Sequence, residues 1–181
     1  MSLSDLANLG EFISGIAVIA SLIYLAVQIR QNTKSVRSAT LASNTDMWAN
    51  LLLTMSDPKN VGAYMYGSSG RSDIRPKEFA QFMLQCRVLF ICFENQYYQF
   101  RNGMLDEETY KGYERSTCSS ILNLRGFRVY WQMHRDTFSP VFVTLVDEMI
   151  ARTPEIEPSD IMMRWQDAIS DLEGSDPDAM H

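Results

Sequence analysis

FISGIAVIASLIYLAVQI, residues 12–29, holds no formal charge over eighteen residues, and ten of them are Phe, Ile, Leu or Val. As an α-helix rising about 1.5 Å per residue it would be about 27 Å long, close to the hydrocarbon thickness of a bilayer. On an insertion scale the ten large apolar side chains contribute roughly −3 to −6 kcal/mol, set against one Gln, two Ser and one Gly. The stretch therefore predicts a transmembrane anchor. Because it sits near the lower length limit for a span, the competing reading is the core helix of a soluble bundle.

The flanks predict an orientation. No Lys or Arg precedes Arg30, and Asp5 and Glu11 lie on the N-terminal side. Arg30, Lys34 and Arg37 follow the span, with no acid until Asp46. Basic residues stay on the cytoplasmic side, so the N-terminus is expected outside and the larger C-terminal part in the cytoplasm. A cleaved signal peptide fits poorly, since a basic n-region and an A-x-A site are both missing. Cys86, Cys92 and Cys118 are odd in number and match no zinc or redox spacing, which suits free thiols in a reducing compartment. A second pattern runs through the anchor. Gly10, Ser14, Ala17, Ser21, Tyr24 and Gln28 fall on one helical seam that is small or polar. Small residues let helices approach closely in lipid, so Gly10, Ser14, Ala17 and Ser21 are the candidate helix-packing seam. Chance patterning in a short segment is the alternative. The seam continues as Gln31, Ser35, Ser38, Ala42 and Thr45, as one long helix would have it.

Composition bounds the rest. The 181 residues have room for an anchor and one compact domain. The net charge of −6 is concentrated in residues 155–181, where eight acids face Arg164 alone; residues 38–154 are neutral, with twelve basic and twelve acidic residues. This is no footprint for nucleic acid. Arg30, Lys34 and Arg37 are available to membrane lipid but too few for a specific lipid site.

Helices punctuated by caps describe the soluble block, and no period-2 strand pattern interrupts them. Helix is expected over 35–56. Asp57-Pro58 is expected to open a short helix ending at Gly67, and SSGRSDIRP to form a loop. A long helix follows from Pro76 to about Asn102, stopped by Gly103. Asp106 caps a helix to about Asn123, favoured by Glu107 and Glu108 at the positive end of its dipole. Further helices are expected over 125–136, from Ser139-Pro140 to Arg152, and from Ser159 to Leu172. The layout is an anchor (1–34), an all-α helical bundle (35–172) and an acidic, disordered tail (173–181).

The helix 76–102 should be central, because Val88-Leu89-Phe90-Ile91-Cys92-Phe93 is apolar on every face. Within it Arg87, Glu94, Tyr98 and Arg101 form a polar seam. A buried carboxylate requires partners. The seam, with Tyr97, is either a ligand pocket built on Glu94 or an interhelical lattice that docks the helices. Elsewhere the candidate chemistry is thin. Cys118 with His134 is a conceivable nucleophile pair, and Arg125, Arg128 and Arg135 a conceivable anion-binding face, though a solvated face is the plainer reading. No motif for a metal, a phosphate loop or a cofactor is present.

The run LANLGEFISGIAVIASLIYLAVQIRQNT, the block FENQYYQFRNGMLDEE and the segment FSPVFVTLVDEM resemble a family of uncharacterised bacterial proteins. The resemblance implies one N-terminal span and a helical domain, and transfers no activity or site; the expected location is the inner membrane, with the topology that the flanking charges give. Two functions are expected to compete. One is a non-enzymatic, membrane-tethered interaction protein, a homo-oligomer or a subunit of a larger membrane assembly. The other is an anchored domain that binds or processes a small molecule near Glu94.

Overall fold

The computed structural model describes residues 3–174, and every regular element in that range is helical. The chain divides into two compact units, Met1–Asn44 and Thr45–His181. The expected tail beyond Gly174 lies outside the described residues.

The first helix, α1, is Leu3–Ser56, unbroken over 54 residues. It has no proline, and its two glycines, Gly10 and Gly15, stand near its start. From 10 to 39 every side chain is exposed, including Ile16, Ile19, Leu22 and Ile23. Among the described residues α1 is the one helix long and apolar enough to cross a membrane, and none of its apolar window is buried. A helix in the core of a soluble bundle would have its apolar faces covered. The last turns of α1 behave in the ordinary way: Met55 is buried, and Trp48 and Leu51 pack against the aromatic core of the second unit.

Asp57 and Pro58 make a turn instead of opening the next helix. The Asp57 carboxylate accepts the N–H of Lys59 (2.8 Å), and its carbonyl accepts those of Asn60 and Val61. Asp57 is thus occupied by a local side-chain-to-backbone turn, and α2 (Val61–Ser68) starts three residues later than the sequence predicts. Its Gly67 is required by packing. A Cβ there would overlap the Phe82 ring, and one on Gly126 would overlap the Gly67 carbonyl oxygen. The α2 backbone therefore touches the start of α5 (Arg125–His134) with no room for a methyl group.

The loop after α2 turns at Gly70, whose φ of 64° is unstrained for glycine. Then α3 (Pro76–Arg101) begins with Pro at its first position and ends before Gly103, which has φ 70°. One side of α3 carries the core: Phe82, Cys86, Leu89, Phe90 and Phe93 are buried. The expectation that Val88–Phe93 is covered on every face is not met. Val88 is 44% and Ile91 46% exposed, and with Leu84 and Tyr98 they make an open apolar stripe.

Next come α4 (Glu107–Thr117), a π-turn at Cys118–Leu122, α5, a short 3-10 turn at Arg135–Thr137, α6 (Pro140–Arg152) and α7 (Pro158–Gly174). Asp106 caps α4 by accepting from the Thr109 N–H (2.9 Å) and hydroxyl (2.8 Å). The core is aromatic. Phe90 stacks on Tyr130 (5.6 Å) and Trp131 (5.0 Å), and Trp131 meets Phe142 edge to face at 5.8 Å. Fully buried rings of this size contribute on the order of 2–3 kcal/mol each through burial, with smaller pair terms added. The Trp131 indole N–H, taken out of water, donates to Asp147 (2.8 Å).

Candidate functional site

On α3 the polar residues face the corner where α5 gives way to α6. Arg87 donates to the Thr137 hydroxyl (2.5 Å), and its guanidinium lies 5.0 Å from the centre of the Phe138 ring. Glu94 is half-buried, and its carboxylate accepts the N–H of Ser139 (2.8 Å), the residue before α6. Tyr97 packs between Tyr110 (5.9 Å) and Phe142 (6.3 Å), with the Arg101 guanidinium 5.8 Å from its ring centre. Tyr98 turns outward, 61% exposed. The seam thus separates: Arg87 and Glu94 hold the α5–α6 corner, Tyr97 and Arg101 lie along the α4 and α6 side, and Tyr98 faces away. The partner of the Glu94 carboxylate is a backbone amide, so the carboxylate docks the start of α6 through the main chain.

Along α1, Gly10, Ser14, Ala17 and Ser21 are all exposed. The hydroxyl of Ser14 donates to the Glu11 carbonyl (2.9 Å) and that of Ser21 to the Ala17 carbonyl (2.8 Å). The seam's polar atoms are therefore satisfied within the helix, and what it offers a neighbour is a lack of bulk.

The remaining candidates are engaged elsewhere. His134 stacks on Tyr130 (4.5 Å) and its Nδ1 meets the Tyr130 carbonyl (3.1 Å), while Cys118 lies beside Arg152. Arg125 pairs with Glu155 (2.7 Å) and Glu157 (3.4 Å), and Arg135 with Asp147. Arg128 donates to the carbonyls of Leu122 and Thr153. These three arginines form no common face. All three cysteines are free thiols, Cys86 and Cys92 buried and Cys118 half-exposed. Burial pushes the Cys86 thiol well above its ordinary value.

A different site is built where α4 ends. An open cleft of about 780 Å³ is lined by Cys118, Ser119 and Ser120 of the π-turn, by Arg152, Thr153, Pro154 and Ile156, and by Ile161 and Arg164 of α7, with Tyr64 and Leu124 adding apolar surface. Its framework is polar and mostly paired. Glu114, buried on α4, takes Arg152 across the cleft and Lys111 at 4.0 Å. The Ile156 N–H donates to the Asn123 carbonyl (2.9 Å), and Arg128 straps the Leu122 and Thr153 carbonyls behind it. Buried polar atoms without a hydrogen bond occur at several places among the described residues, and two of them belong to Tyr110 and Asn123. The Tyr110 hydroxyl is buried without a hydrogen bond, and burial followed by the Glu114 charge raises its pKa. Asn123 is 6% exposed; its amide N–H donates to the Ser119 carbonyl, but its Oδ1 has no donor. A buried acceptor without a donor costs about 1–3 kcal/mol. Of these residues only Cys118 stands out in the sequence as a candidate. Glu114, Asn123 and Arg152 have no spacing signal, because they meet only through the crossing of α4, the π-turn and α6.

A comparison with protein-family models, curated proteins and solved structures returns no match.

Proposed function

We propose that this chain is a non-enzymatic, membrane-tethered interaction protein, self-associating or serving as a subunit of a membrane assembly. The observation that carries the reading is the apolar, wholly exposed window Phe12–Ile29 on an unbroken helix. Such a surface is stable in hydrocarbon and not in water. The charge difference across it, Asp5 and Glu11 before and Arg30, Lys34 and Arg37 after, supports an N-terminus outside and the second unit in the cytoplasm, at the inner membrane. Two surfaces support association: the small-residue seam of α1, and the apolar stripe Leu84, Val88, Ile91 and Tyr98 of α3, of the kind that marks contact sites. Arg87 and Glu94, engaged in holding the α5–α6 corner, favour this reading over a ligand pocket at that place.

Three measurements test it. The full-length protein should sediment with membranes and resist alkaline extraction. A reporter active only in the cytoplasm should work when fused after residue 172 and fail when fused at the N-terminus. Ala17→Leu or Ser21→Leu should weaken crosslinking between anchors, while Ile16→Leu on another face should not. Recovery of the protein in the soluble fraction would overturn the anchor, and equal crosslinking by all three variants would overturn the seam.

A further inference from the structure

The cleft at the end of α4 holds more than a packing defect would. Its volume, about 780 Å³, lies in the range of small-molecule sites. Its walls are of two kinds. Tyr64, Leu124, Pro154, Ile156 and Ile161 supply apolar surface, whereas Arg115, Arg152 and Arg164 bring three guanidinium groups to one opening. Only Arg152 is neutralised within the site, by Glu114; neither Arg115 nor Arg164 forms a salt bridge among the described residues. The cleft therefore carries an excess of positive charge beside an apolar wall, a combination that suits an anion with a hydrocarbon body.

The third element is Asn123, which lines the cleft. Its amide N–H is spent on the Ser119 carbonyl within the π-turn, which fixes this part of the wall. The π-turn itself is of the sort found at functional sites in helices.

We propose that this cleft binds a small amphipathic organic acid: a medium-length hydrocarbon body along the apolar wall and a carboxylate held by Arg115 and Arg164. The site goes beyond the role of an anchored interaction protein and stands apart from it, since every lining residue lies between Tyr64 and Arg164.

Cys118 supplies a local readout. It lines the cleft and is half-exposed, while Cys86 and Cys92 are buried. The full-length protein in nanodiscs of zwitterionic lipid is treated with iodoacetamide, and modification of Cys118 is followed by peptide mass spectrometry. Decanoate should slow the reaction saturably. Methyl decanoate should not protect. An Arg115→Ala, Arg164→Ala double variant, altered only at exposed positions and checked for helicity by circular dichroism, should need about tenfold more of the acid. Absence of protection at millimolar decanoate overturns the proposal. So does equal potency of acid and ester, or of parent and double variant.

Discussion

Phe12–Ile29 of α1 and Val88–Phe93 of α3 are both strongly apolar runs without a charge, and the protein treats them in opposite ways. The first is exposed on all sides. The second is divided: Leu89, Phe90, Cys92 and Phe93 are buried, while Val88 and Ile91 look outward. Length makes the difference. Eighteen uncharged, mainly apolar residues can lie wholly in lipid, where no face needs a protein partner. Six residues cover less than two turns of helix, about 9 Å, and must take whatever neighbours the fold provides on each side. An apolar residue is thus a statement about its surroundings only together with the length of the run around it.

Breaking the first run should have the largest effect. A charge at the middle of a span costs about 2.5–3.5 kcal/mol on insertion scales. Ile19→Arg with Ile23→Arg should therefore move most of the protein from the membrane pellet to the soluble or aggregated fraction, as judged by immunoblot after sedimentation. The second run can be sharpened with adjacent residues. Phe90→Ala should cost about 3–5 kcal/mol, whereas Ile91→Ala, half-exposed, should cost under about 1 kcal/mol. Thermal unfolding of the full chain in mild detergent would separate the two. Equal losses would mean that the outer face of α3 is covered in the working protein.

A smaller effect is expected at the polar edge of the same helix. Glu94→Gln keeps an acceptor for the Ser139 N–H but removes the charge, so the loss should be about 1 kcal/mol. A loss of about 3 kcal/mol or more would point to an arginine partner in the assembled protein. The smallest effect is the acid response of Asp106. Hydrogen bonds from the Thr109 N–H and hydroxyl hold its carboxyl below the ordinary value. Its contribution is complete above the unfolded value, about 3.9, and is lost as pH falls through the lower folded value. Asp106→Asn should flatten that acid limb of the unfolding curve and leave neutral pH nearly unchanged.

The same contrast explains how much of the fold was legible in the residues alone. Pro76 and Gly103, Asp106, and Ser139-Pro140 mark element boundaries because capping and left-handed turns act within about four residues of chain. The long apolar helix was legible because its signal accumulates over eighteen positions. Asp57 misled because the same side chain that caps a helix also closes a turn, and its bond to Lys59 decided for the turn. The exposed side of α3 was hidden because six apolar residues show no preferred face. The cleft was invisible for a related reason: Glu114 and Arg152 are separated by 38 residues, and the orphan Asn123 oxygen is a property of surroundings, not of spacing.

The hydrogen-bonded rings of the π-turn at Cys118–Leu122 each enclose one residue more than those of the α-helix before it. This stretch therefore holds a surplus residue in the genetic sense of an insertion. Removing a single residue there would let α4 run on as ordinary α-helix and would turn the downstream chain by about 100°. Asn123 and Leu124 would swing off the cleft wall while the strap from Arg128 pulled against them. A one-residue deletion, usually among the most disruptive of changes inside a helix, would here shorten the chain toward regularity and erase the cavity in the same step.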